Sequence, residues 1–355
     1  MSREKNKLLI IGVLLTAMSI FLITGCSKEG EDENKTPSKT ADKNVYSMKL
    51  AHITTKENPL NIGYEYLAEQ LKTKTNGQII LNIYGNGQIS GSDREQAEMV
   101  QNNIIQMTST PSYTLAGMNS ELKKFNIYDV PYLFANDDEI SSFSDGPVGA
   151  EMVEDLLKGT GIRAYGPFSI GWVKISSNKQ PIQSPDDLKG LNIRTTKSEF
   201  YMKTTKAWGA NPTPVAYGEC FTALQQGTVD GMMTACSLYV TDRFYEVQKY
   251  LGAVNPFAIT HYPIINNNWY ERLPDDLQKI FDECMVDYVN YMREIEKKAE
   301  SDSLDILREK GMVVNEYTEE QMRLFSDPAK PMWEESANIV GGIEFLNSVR
   351  EFLNK

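Results

Sequence analysis

The chain has 355 residues, enough for about two domains, and its 41% hydrophobic, 24% charged composition excludes wholesale disorder and collagen-like repeats. Lys+Arg is 36 and Asp+Glu is 48, a net charge of −12 that repels phosphate backbones and argues against nucleic acid as partner. Two histidines, His52 and His261, and four cysteines without a C-x-x-C spacing leave little for a His-rich metal site, a His-triad hydrolase or a zinc or thioredoxin signature.

In chain order, Arg3, Lys5 and Lys7 precede an apolar stretch from Leu8 to Phe21, then Leu22-Ile23-Thr24-Gly25-Cys26. Small residues before a cysteine read as a lipoprotein signal peptide over residues 1–25, cut before Cys26, whose thiol is diacylated. The alternative is an uncleaved membrane anchor; either way the remainder is extracytoplasmic and held at a membrane. Losing Arg3, Glu4, Lys5 and Lys7 takes the net charge from −12 to −14. Residues 26–44 hold almost nothing apolar and read as a flexible tether with a reach of about 25 Å.

The body then alternates strands and helices. Tyr46 to Ile53 alternates apolar and polar residues and predicts a strand; Leu60 to Lys74 predicts a helix; Gln78 to Tyr84 predicts a strand. Ser92-Asp93-Arg94-Glu95 is a capping box that starts a helix running to about Asn103. A strand is expected at Ile105 to Thr108, a helix at Phe143 to Leu157 and a strand at Ile162 to Tyr165. Ser184-Pro185 caps a short helix, Leu191 to Thr195 is a strand, Glu199 to Trp208 and Glu219 to Gln226 are helices, and Val229 to Met233 is a strand. This order predicts an α/β fold with mostly parallel sheets. From Pro274 to Gly311 helical spacing persists for about 50 Å, longer than one small domain; the alternative is two helices broken near Ser301-Asp302-Ser303.

Catalytic motifs are not found: the chain has no G-x-S-x-G, H-E-x-x-H or Walker A pattern, so no catalytic residue, metal site or cofactor is assigned. Gly85-Asn86-Gly87-Gln88-Ile89-Ser90 has a serine where a dinucleotide loop needs its third glycine, and reads as a turn. The acid pairs at Asp137-Asp138 and Asp275-Asp276 sit at expected helix starts, where acids favour the macrodipole. Cys220, Cys236 and Cys284 are an odd number, so at least one thiol is free.

Several blocks occur in a telling order. They include Leu67-Ala68-Glu69-Gln70-Leu71, Gly87-Gln88-Ile89-Ser90-Gly91 and Val130-Pro131-Tyr132-Leu133-Phe134. The most specific runs from Pro181 through Ser184-Pro185-Asp186-Asp187-Leu188-Lys189-Gly190-Leu191-Asn192-Ile193-Arg194 to Trp208-Gly209-Ala210-Asn211-Pro212 and Val229-Asp230-Gly231. With Phe244 to Tyr250 and Leu273-Pro274-Asp275-Asp276-Leu277 they span about residues 45–330. In these blocks the chain resembles the substrate-binding subunits of tripartite ATP-independent periplasmic (TRAP) transporters, the DctP-type receptors.

The resemblance implies an α/β, two-domain periplasmic-binding-protein-like fold, with an interdomain ligand cleft closed by hinge motion and a long domain-spanning helix. It places domain I at 45–170 plus 260–299 and domain II at 171–259 plus 300–355. The implied partners are a small organic acid and the TRAP membrane permease subunits; the alternatives are a substrate-binding lipoprotein of an ABC importer or a ligand sensor. In the family the Arg that ends the Asp-Leu-Lys-Gly-Leu-x-Ile-Arg block clamps a ligand carboxylate, here Arg194, and a guanidinium fork suits two carboxylate oxygens. Three positions depart: Val173 stands for a second Arg, Thr234 for an Asn, and Pro111 for a Glu found in some relatives. Tyr217 falls where the family packs a ring on the ligand, and Phe168, Trp172, Tyr239 and Tyr113 are further aromatic candidates. One retained Arg with Val173 in place of the second implies a monocarboxylate with an apolar or aromatic body.

Overall fold

The computed structural model describes residues 44–355; the signal peptide, Cys26 and nearly all of the tether expected from the sequence lie outside the described residues. Numbered in chain order, the strands are β1 (Tyr46–Ala51), β2 (Ile79–Tyr84), β3 (Met107–Pro111), β4 (Ile162–Ala164), β5 (Phe168–Ser177), β6 (Asn192–Thr195), β7 (Asn211–Pro214), β8 (Gly231–Ala235), β9 (Tyr250–Gly252), β10 (Ala258–Asn266) and β11 (Val313–Asn315). Their main path runs β2-β1-β3-β10-β5-β8-β6-β7, and it divides into two lobes. In the first, β1 pairs in parallel with β2 and β3, and β10 runs antiparallel to β3 and β4. In the second, β6 pairs in parallel with β7 and β8, and β9 with β11.

Two strands join the lobes. Phe168 to Trp172 of β5 pair with β10, while Val173 to Ile175 pair with β8 and Ile175 to Ser177 with β9, all antiparallel. The expectation of mostly parallel sheets therefore holds within the β-α-β portions only. The crossing strands return against their neighbours, so every antiparallel pairing involves β5 or β10. Gly171 sits at this crossing with φ of +115°, and a Cβ there would come within 2.5 Å of Glu300 Oε2. Only glycine takes that backbone without strain.

The long helix is continuous from Asp275 to Glu309, 35 residues. Ser301 and Ser303 do not break it, because their hydroxyls donate back to the carbonyls of Lys298 and Ala299; Gly311, at φ +94°, follows its end. Leu277, Phe281, Met285, Tyr288 and Met292 form one buried stripe. They share a core with Met48, Leu50, Tyr64 and Leu67 of the first lobe and with Ile175, Ile193 and Trp208 of the second. The Pro59–Lys74 helix docks on this stripe at Gly63, whose missing Cβ leaves room for Met292 Sδ. A separate core backs each lobe: Phe125, Ile127, Tyr128 and Tyr262 in the first, Cys220, Leu224, Met232 and Phe244 in the second.

The helix expected from Phe143 to Leu157 is two, Asp137–Ser144 and Pro147–Thr160. Pro147 starts the second as its first helical residue and disfavours helical geometry at Gly146. Residues 300–355 do not travel together: β11 pairs with β9 of the second lobe, whereas Val340, Leu346 and Val349 pack among Phe125 and Ile127 of the first. Cys220, Cys236 and Cys284 are all free and buried. No helix among the described residues is long and apolar enough to cross a membrane.

Candidate functional site

A cavity opens where the C-terminal ends of β1, β3, β6 and β8 face one another near the crossing strands. The first lobe contributes His52, Thr54, Tyr64, Asp93, Gln96, Ser109, Tyr113 and His261; the second contributes Arg194, Thr196, Tyr217, Thr234 and Met233. Ile53, Leu60, Ile170, Leu238 and Ile259 supply apolar wall. The enclosed volume is about 50 Å³, where one water needs about 10–15 Å³, so the space suits a compact solute.

Among the described residues Arg194 is the one Lys or Arg on this wall. Its strand is held by register pairing of Arg194 with Thr213 on one side and Met232 on the other. The side chain is 3% exposed. Nε donates to the Val215 carbonyl at 3.1 Å, and the guanidinium lies 5.8 Å from the Tyr217 ring centroid. Among the described residues its two terminal nitrogens have no hydrogen-bond partner, so the fork is oriented but free to take an anion. Tyr217 is itself fixed by donating to Asp242. Asp93, in the first turn of the Asp93–Gln101 helix, faces the same space. Burial pushes its carboxyl up to about 6, against the pull of Arg194 and of its own backbone N–H.

The lobes are closed on this cavity. Thr55 Oγ1 donates to Asp242 Oδ1 at 3.2 Å, Asn58 Nδ2 to Thr241 Oγ1 at 3.0 Å, and Ser198 Oγ to Asp129 Oδ2 at 2.6 Å. A Cβ on Gly218 would sit 3.4 Å from the Gly91 carbonyl oxygen, so the two loops touch backbone to backbone. Asp93, Tyr113, Arg194, Thr196 and Tyr217 also line an adjoining recess that extends the site outward.

Of the residues expected at the ligand, Arg194, Tyr217, Thr234, Tyr113 and Pro111 line the cavity. Four others do not. Val173 is fully buried and bonded through its backbone to Phe257 and Asn255. Trp172, one residue earlier and on the opposite strand face, donates to Asp137 Oδ1 and lines a surface recess with Tyr132 and Lys297. Phe168 is core, packed on Tyr288 behind His261. Tyr239 is buried with its hydroxyl on the Met232 carbonyl. Both histidines and Asp93 were missed. Neither histidine lies in a motif, and Asp93 reads in the sequence as part of a helix cap, so no local signal marks them.

The Bacterial extracellular solute-binding protein, family 7 (DctP) model matches residues 50–338. The chain is 28% identical over 295 residues to the C4-dicarboxylate-binding periplasmic protein DctP of Rhodobacter capsulatus, covering 83% of this chain and 87% of that one. It is 26% identical over 281 residues to the 2,3-diketo-L-gulonate-binding periplasmic protein YiaO of Escherichia coli, covering 79% and 84%. A crystal structure of a TRAP periplasmic solute-binding protein from Ochrobactrum anthropi superposes with a TM-score of 0.76 at 29% identity, covering 88% of this chain and 95% of that one. With two lobes, a cleft between them and a family match over most of its length, the chain belongs to family 7 of the bacterial extracellular solute-binding proteins.

Proposed function

We propose that Arg194 clamps the carboxylate of a small organic acid in the interlobe cavity. The protein is an extracytoplasmic solute receptor of a TRAP transporter, and the acid is the solute it presents to the membrane permease. The observation that carries the clamp is a buried guanidinium whose terminal nitrogens, among the described residues, lack protein partners at the wall of a cavity lined by no other described Lys or Arg. Ligands of the named relatives range from C4-dicarboxylates to a diketo sugar acid, so a carboxylate is the shared chemistry. The apolar wall of the cavity and its small volume favour a compact acid with a short hydrocarbon body; Tyr217 and Thr234 flank the clamp. A thermal-shift screen of three- to six-carbon carboxylates against the processed chain tests this, because a solute that binds only the folded state raises Tm. If no carboxylate shifts Tm while uncharged sugars do, the proposal fails.

For the anchor, the basic n-region, the apolar stretch and Thr24-Gly25-Cys26 support diacylation of Cys26 and a lipid-held receptor. Cys26→Ser should abolish labelling by a fatty acid and release the protein from membranes. We place the lobe boundaries near residues 170 and 260, where β5 and β10 cross, keep β11 with the second lobe, and group the C-terminal helices with the first on the strength of their packing.

A further inference from the structure

The only two histidines in the chain both line the cavity, and they are wired differently. His52 is fully engaged. Its Nε2 meets Asn61 Oδ1 at 3.1 Å and its Nδ1 meets Thr54 Oγ1 at 3.1 Å. Asn61 Nδ2 donates to the Lys56 carbonyl and to Glu65 Oε1, so Oδ1 is the accepting end of that amide. His52 therefore carries its proton on Nε2 and accepts from Thr54 through Nδ1.

His261 is 5% exposed, and only one of its nitrogens is engaged. Nδ1 lies 3.5 Å from Ser109 Oγ, which is hydrogen-bonded in turn to the Tyr64 hydroxyl. Among the described residues Nε2 has no hydrogen-bond partner. An imidazole nitrogen left open on a cavity wall is available to a polar group of the occupant. The residue stands on β10, whose partners there are β3 and the first part of β5. Arg194 reaches the cavity from β6 in the other lobe. Both side chains line one cavity from opposite lobes, so a solute held by its carboxylate on Arg194 shares that space with His261.

The chemistry of that second contact is constrained. Among the described residues Arg194 is the one Lys or Arg on the wall, and Asp93 shares the space. Burial holds both imidazoles uncharged, His52 down to about 4 and His261 down to about 3. A second carboxylate at His261 would be a desolvated anion without a cation.

We propose, resting on the Arg194 clamp, that His261 Nε2, steered by Ser109 and Tyr64, is the specificity-determining contact for a neutral hydroxyl or carbonyl remote from the carboxylate. The receptor then selects hydroxy- or oxo-monocarboxylates over dicarboxylates of the same length. A site built to hydrogen-bond such a group discriminates strongly against analogues lacking it.

The test is isothermal titration of the processed chain with butyrate, 4-hydroxybutyrate, 4-oxopentanoate and succinate. We expect 4-hydroxybutyrate or 4-oxopentanoate to bind at least about tenfold tighter than butyrate, with succinate weaker than that acid. His261→Phe should shrink the preference over butyrate to below about threefold; if that variant does not fold, Ser109→Ala should shrink it in the same direction. Succinate as the tightest ligand, or a preference that survives in the variant, overturns the assignment. If butyrate binding needs Arg194 but the hydroxyl and the carbonyl add nothing, the His261 assignment alone falls. If all four acids bind equally well to Arg194→Met, or none binds the native chain, the clamp falls and takes this inference with it.

Discussion

Replacing Arg194 by Met keeps the length of the side chain and removes its charge and fork, so it separates binding from folding. In the bound state the guanidinium and the ligand carboxylate form a desolvated pair, and deleting one member of such a pair costs about 3–5 kcal/mol. At about 1.4 kcal/mol per factor of ten, the affinity should fall by about two to three and a half powers of ten. Folding behaves differently. The variant loses the Nε bond to Val215 at 3.1 Å and the stacking over Tyr217, about 1.5–3 kcal/mol for the charged hydrogen bond and about 1 kcal/mol for the ring. It also removes a guanidinium buried to 3% exposure whose nearest opposing charge, Asp93, shares the cavity without a direct ion pair among the described residues, and burying a charge so weakly compensated costs several kcal/mol. These effects oppose one another, and the net change in unfolding free energy should stay within about 2 kcal/mol. Titration calorimetry with a carboxylate that binds the native chain, beside a thermal melt without ligand, reads both. Arg194→Lys should recover only part of the affinity, since a point charge cannot engage both oxygens. A dissociation constant in Arg194→Met within about fivefold of native, or lost binding that tracks lost structure, refutes the clamp.

Three further outcomes follow from the same geometry. Asp93, pushed up to about 6, is mostly ionised at pH 7.5 and repels a carboxylate held by Arg194. Bound anion raises its pKa further, so binding takes up a proton. Affinity should therefore rise as pH falls from 8 to 5.5, by at most about tenfold per unit, and Asp93→Asn should flatten the profile; an unchanged slope in that variant counts against it. Thr55→Val removes the hydroxyl that reaches Asp242 across the cleft, about 1 kcal/mol of closure, and stopped-flow should show about a five- to tenfold faster ligand release; an unaltered release rate would show that this contact does not hold the lobes shut. Glu296 on the long helix is 3% exposed with neither oxygen partnered, and burial, with Glu300 nearby, raises its pKa well above the usual value. A raised carboxyl pKa lowers stability as pH climbs from the unfolded value toward the folded one. Glu296→Gln should thus raise Tm at pH 7 and confer no gain below about pH 4.5; a gain that is equal at both pH values would contradict the ionisation argument.

Much of the architecture was legible because it is local. The helix at Pro59–Lys74, the capped start at Ser92 and the long helix from Asp275 carry their periodicity and caps in contiguous residues. The crossing strands were not read from local pattern. Every residue of β10 is buried, and so is all of Ile170 to Ser177 in β5 save Trp172, so the polar–apolar alternation that marks a half-exposed strand is absent. At the site, Arg194, Tyr217 and Thr234 were found through the family blocks. Val173, Trp172, Phe168 and Tyr239 were not separable from cavity residues by sequence, because which strand face meets the cleft depends on how β5 passes between lobes. His261 carried no motif at all. Its significance comes from Ser109, 152 positions away, and from an unpartnered nitrogen that only the packing reveals.

On this reading one end of a small acid lies on Arg194 and the other on His261. A crystal structure of the processed chain with the tightest acid of the four-compound panel tests it most directly. Both carboxylate oxygens should lie about 2.7–2.9 Å from the Arg194 guanidinium, with the hydroxyl or carbonyl within hydrogen-bond reach of His261 Nε2. A carboxylate seated away from Arg194, or an acid lying in the cleft with His261 Nε2 against its hydrocarbon, contradicts it.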